Sequence, residues 1–102
     1  MSGFKEYDQY DGLGLAELIR SGAVSARDLC DEAIARIERL NPAINAVVRP
    51  MFDYGRRALA AIDPRTPFAG VPFLLKDLIA LVAGVPTSFG SKALCNYVPD
   101  HD

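Results

Sequence analysis

The sequence predicts an α/β domain whose sheet is incomplete within this chain. Residues 25–40 carry the apolar spacing and the start signal of an amphipathic helix. Two short runs, 44–49 and 71–75, have the length and the β-branched or aromatic content of strands. The resulting order is helix, helix, strand, helix, strand, loop, which suits helices covering a sheet. Two strands are too few for a stable sheet, so both are expected to need neighbours from outside this chain.

Residues 1–11 mix acidic and aromatic side chains without periodicity and are expected to be loosely ordered. From Leu13 to Ser21, the residues Leu15, Leu18 and Ile19 fall at helical spacing, and Gly22 is a natural C-terminal stop. Ser25 then opens a capping signal. Its hydroxyl can accept a helix-start N–H, and Asp28 faces the positive end of the dipole. Leu29, Ala33, Ile37 and Leu40 line one face of the helix that follows, with Cys30 and Ile34 beside them. Asn41-Pro42 is predicted to end it, because a residue before proline is pushed out of the helical region.

INAVVR, residues 44–49, reads as a short strand. Pro50 precedes a third helix, with Phe52, Gly55, Leu59 and Ile62 at spacings of three and four. Asp63-Pro64 and Thr66-Pro67 close it with a tight polar connection. Residues 71–75 form the second predicted strand, which ends at Lys76-Asp77, and a loop rich in glycine and hydroxyls follows. The expected organisation is thus 1–11 loosely ordered, 12–63 helical with one strand, and 64–102 a lysine-bearing strand and Gly/Ser loop.

Bulk properties narrow the function classes. At 102 residues and 50% apolar content, one small domain with a core is possible and two are not. A net charge of -2 with interspersed signs gives no electrostatic footprint for nucleic acid or an anionic membrane. The longest apolar run, residues 78–86, is far too short to span a bilayer, and the N-terminus lacks the apolar centre of a signal peptide. Cys30 and Cys95 form no metal-ligand spacing, and Cys30 is expected to be a buried, reduced thiol. His101 is the single histidine, so neither a histidine metal site nor a Ser-His-Asp triad is expected. These features predict a cytoplasmic protein with no metal, cofactor, nucleic acid or membrane partner.

The informative stretch is Gly70 to Lys92, GVPFLLKDLIALVAGVPTSFGSK. It places Lys76 at the end of an apolar run, with a glycine- and hydroxyl-rich loop about a dozen residues on. A lysine in apolar surroundings can lose its charge, since desolvation disfavours the ammonium form. A neutral amine can then take a proton from a serine hydroxyl. On composition alone the plainer reading is favoured, in which Lys76 and Asp77 are an exposed strand end with a weak surface ion pair.

The resemblance of these residues to a known family changes that weighting. GVPFLLKD followed by GVPTSFGS resembles the first half of the signature region of amidase-signature enzymes, and NPAINAVV resembles the same family. INAVVRP, PFAGVPFLLKDL and the closing DHD are similar to its 6-aminohexanoate-cyclic-dimer hydrolase branch. That resemblance implies a mixed-sheet domain of which this chain holds the N-terminal helices and first strands. It also implies an amide hydrolase with a Ser-cisSer-Lys triad that acts on a small carboxamide or amide oligomer.

Lys76 matches the family's catalytic base. Asp77 matches the acid after it and is expected to support local structure rather than transfer a proton. Thr87, Ser88, Gly90 and Ser91 match the loop near the active site, where hydrogen bonding would shape it. The bridging and nucleophilic serines belong to a downstream glycine- and serine-rich segment. Ser2, Ser21, Ser25, Ser88 and Ser91 do not have such surroundings. The expectation is therefore a truncated chain, inactive alone, whose partners are the remainder of the domain and a small amide.

Two other readings stand beside this one. An amidotransferase subunit releasing ammonia from glutamine resembles the same signature but usually places asparagine where Leu78 stands. A non-catalytic, self-associating fragment would use its unpaired strands and apolar surface to form a homo-oligomer.

Overall fold

A computed structural model describes residues 4–78 and 80–102. The chain forms two compact units, Met1–Pro72 and Phe73–Asp102.

In the first unit α1 spans Gly12–Ser21. The Asp11 carboxylate starts it by accepting from the Gly14 N–H at 2.7 Å. At its end Gly22 takes a φ of 83° and donates to the Ile19 carbonyl, while Ala23 N–H reaches Leu18. Those paired bonds are a Schellman closure, for which glycine pays no side-chain clash. The stop predicted at Gly22 is in place.

α2 runs Ala26–Ile44 behind the predicted capping box. Ser25 Oγ accepts from Asp28 N–H at 3.0 Å, and the Asp28 carboxylate accepts from Ser25 N–H at 3.4 Å. The helix does not end at Asn41-Pro42; Pro42 lies inside it. Closure comes three residues later, where Asn45 turns left-handed with a φ of 49° and donates to the Asn41 carbonyl. The Asn41 amide also exchanges two hydrogen bonds with Val47, at 2.8 and 2.9 Å. One residue thus holds both the last turn and the exit, so the loss of one N–H at Pro42 is tolerated. The buried face also differs from the prediction: Leu29 and Ile34 are inside, and Leu40 is exposed.

The run 44–49 forms no strand, and neither does 71–75; no strand is present among the described residues. A strand is stabilised by cross-strand pairing, and neither run has a partner ladder here. The Asn41 side chain serves Val47 in place of a neighbouring strand. The mixed-sheet part of the expected α/β class is therefore replaced, in this chain, by helices and irregular backbone. α3 covers Phe52–Ala58 and tightens into a 3-10 turn at Leu59–Ala61, near the predicted third helix.

The core of this unit gathers Leu15, Val24 and Leu29, with Phe4, Tyr7, Leu18, Ile19 and Val71 packed against it. Gly70 brings Val71 in: its φ is 85°, and an added Cβ would lie 2.7 Å from the Ala26 Cβ. Only glycine accepts both the sign of φ and that approach. Of the segment 1–11 expected to be loosely ordered, residues 1–3 lie outside the described residues, while Tyr7–Gln9 form a 3-10 turn and Phe4 and Tyr7 join the core. Phe4 N–H donates to Glu32, Arg36 donates to the Lys5 carbonyl, and the Arg36 guanidinium lies over the Tyr7 ring. The Arg36 hydrogen bond at 2.6 Å holds the Glu32 carboxyl below its usual range, opposed by burial. Cys30 is a free thiol but only half-buried, and burial raises its pKa. The Arg56 guanidinium of α3 sits 3.7 Å from the Asp31 carboxylate of α2.

The second unit has little regular structure, a single 3-10 turn at Lys92–Leu94 being assigned among its described residues. Hydrogen bonds order it. Gly84 N–H donates to the Pro99 carbonyl at 2.9 Å and Thr87 N–H to the Tyr97 carbonyl at 3.0 Å, so 84–87 and 97–99 run antiparallel. Asp102 accepts from Ala83 N–H at 2.8 Å. Phe73, Leu74, Leu75 and Leu78 are exposed, Phe73 at 82%. No helix among the described residues is long and apolar enough to cross a membrane.

Candidate active site

All six residues singled out in the sequence lie in the second unit. Lys76 is exposed, and its carbonyl accepts from Leu78 N–H at 2.8 Å. That bond spans two residues and closes a γ-turn centred on Asp77. The turn sends the Asp77 carboxylate to the loop eleven residues on. One of its oxygens accepts from Ser88 N–H at 2.9 Å and from Phe89 N–H at 3.4 Å. The other accepts from the Ser88 hydroxyl at 2.7 Å. Bonds to an ionised acceptor are shorter and stronger than neutral ones, which suits this half-buried position.

The loop that Asp77 grips is itself unusual. Ser91 N–H donates to the Ser88 carbonyl at 2.9 Å, closing a four-residue turn. Both central residues are left-handed, with a φ of 56° at Phe89 and 74° at Gly90. That is the pattern of a primed turn, in which glycine is ordinary and a bulky residue is not. Thr87 precedes the turn and is 5% exposed, its N–H committed to Tyr97. Ser91 ends the turn and caps the next one, its hydroxyl accepting from Ala93 N–H at 3.2 Å. The Phe89 and Tyr97 rings stand 6.3 Å apart.

The structure therefore brings Asp77 and Ser88 together, with Lys76 joined to them through the γ-turn. Gly90 and Ser91 enter as turn residues, and Thr87 as a buried support. Sequence reasoning missed the left-handed Phe89: Gly90 signals a turn, but nothing in the composition marks the residue before it. It also missed the antiparallel pairing of 84–87 with 97–99, since the carbonyls involved belong to unremarkable residues.

Residues 28–102 match the amidase family, and the chain belongs to it. Over 94 residues it is 40% identical to the 6-aminohexanoate-cyclic-dimer hydrolase of Pseudomonas sp. (strain NK87), covering 90% of this chain and 19% of the relative. It is 43% identical over 84 residues to the putative amidase AmiC of Mycobacterium tuberculosis (strain ATCC 25618 / H37Rv), covering 81% and 18%. A solved structure of 6-aminohexanoate cyclic dimer hydrolase complexed with substrate superposes with a TM-score of 0.87 at 38% identity, covering 97% of this chain and 20% of that one. The chain spans about a fifth of the length of the relatives it matches.

Proposed function

We propose that these residues form the lysine-bearing part of an amide-bond hydrolase acting on a small carboxamide or an amide oligomer. Lys76 is the base of a Ser-cisSer-Lys triad. It takes a proton through a bridging serine from a second serine, whose oxygen then attacks the amide carbonyl. That proton passes back through the bridging serine to the amide nitrogen as the C–N bond breaks, the amine leaves, and water hydrolyses the acyl-enzyme. Both serines come from the remainder of the domain, so the 102-residue chain alone is inactive. The enzyme acts in the cytoplasm on a small molecule, without nucleic acid, membrane or cofactor.

The observation that carries this reading is the link from Lys76-Asp77 to the 88–91 turn, with the Ser88 hydroxyl 2.7 Å from Asp77. It ties the two halves of the signature, eleven residues apart, into one feature. The similarity to a cyclic-dimer hydrolase favours a compact amide oligomer as substrate.

The test compares the full product of the gene with the 102-residue chain on simple carboxamides, linear and cyclic amide oligomers, and glutamine. Turnover of amides by the full product alone is expected. Turnover by the short chain that is lost in Lys76→Ala would overturn its predicted inactivity. Ammonia release confined to glutamine and dependent on a partner subunit would move the assignment to an amidotransferase.

A further inference from the structure

We infer that Asp77 is a positioning residue: its carboxylate clamps the left-handed Ser88–Ser91 turn to the γ-turn that carries Lys76, and so fixes the lysine's backbone for catalysis. The inference rests on the amide-hydrolase reading and assigns a specific task to a residue outside the proposed triad.

Four features support it. The Leu78 N–H to Lys76 carbonyl bond makes Asp77 the centre of a three-residue turn, so Lys76 cannot shift without moving Asp77. Both oxygens of the Asp77 carboxylate reach Ser88, taking its N–H and hydroxyl at 2.9 and 2.7 Å. The Phe89 N–H, at 3.4 Å, points to the same oxygen as the Ser88 N–H. Finally, Phe89 holds a φ of 56°, a conformation that a bulky side chain takes only where its surroundings impose it. An anionic acceptor facing two successive N–H groups imposes it here.

Alanine at 77 would remove all three bonds and release the turn. Asparagine would not, since its Oδ1 can keep both N–H bonds and its NH2 can donate to the Ser88 hydroxyl oxygen. Because the clamp acts on where the lysine stands, its loss is felt in the chemical step more than in substrate binding.

The experiment measures kcat and KM on an amide substrate for the full product of the gene, as wild type, Asp77→Ala, Ser88→Ala and the double variant. The Tm of each is recorded, and hydrogen exchange is followed at the Ser88 and Phe89 amides. Asp77→Ala is expected to lower kcat on the order of a hundredfold, as misplacement of a reacting group does, with KM changed less than about threefold. Exchange at both amides should speed up while Tm holds. Ser88→Ala should lower kcat less, and the double variant should fall no further than Asp77→Ala, since Ser88→Ala removes one of the bonds that Asp77→Ala already breaks. If Asp77→Ala does not fold, Ser88→Ala alone still tests the clamp through kcat at unchanged Tm. Full kcat in both single variants, or effects that simply multiply, would overturn the inference. Full turnover in Lys76→Ala would instead sink the hydrolase reading, and the exchange rates would still report whether the clamp exists.

Discussion

The two units are ordered by different means. In Met1–Pro72 apolar burial does the work: Leu29 is fully enclosed, and caps close both ends of α1 and α2. In Phe73–Asp102 hydrogen bonds do it, from Asp77 to the 88–91 turn and from 84–87 to 97–99, while Phe73 and Leu74 stand in solvent. A packed core tolerates no change of shape at its centre, whereas a network of polar ties can place one carboxylate to within a bond length. The contrast separates residues that keep the fold from the residues proposed to set the chemistry.

That contrast can be broken at its strongest point. Leu29→Ala should cost about 2–5 kcal/mol, the range for truncating a buried leucine, read as a lower melting temperature of the helical circular-dichroism signal. A loss below about 1 kcal/mol would mean that the first unit does not depend on this core.

A smaller effect concerns the N-terminal segment. The folded Glu32 pKa is lowered, chiefly by its hydrogen bond to Arg36, so its contribution is present above the ordinary glutamate range. It is lost as the pH falls through the depressed folded value. Glu32→Gln should therefore melt a few degrees lower than wild type at neutral pH, with the gap closing in acid. A gap that stays constant with pH would show that the carboxylate's charge is not what anchors Phe4.

The smallest effect sharpens the other side. Phe73→Ser should change the stability of this chain by less than about 0.5 kcal/mol, because the ring is 82% exposed. A cost above about 1 kcal/mol would show the ring to be packed.

How much of this was legible in the sequence follows the range of the interactions. The Ser25 capping box and the Gly22 stop depend on residues within a turn or two, and both are in place. The strands at 44–49 and 71–75 needed partners, which this chain does not provide, and apolar content alone could not make them. Asn41-Pro42 failed as a helix stop because the Asn41 side chain and the left-handed Asn45 provide a closure that composition does not encode. For the candidate site, the six residues could be named from their motif. The bond from Asp77 to Ser88 could not, since it joins residues eleven apart across a turn held by a left-handed phenylalanine.

The proposed role of Lys76 is tested most directly by single-turnover hydrolysis of a small amide oligomer by the full gene product and its Lys76→Ala variant. Truncation of the base should lower the rate by at least about a thousandfold, with the circular-dichroism spectrum unchanged. A variant that hydrolyses the amide at the wild-type rate would contradict the assignment.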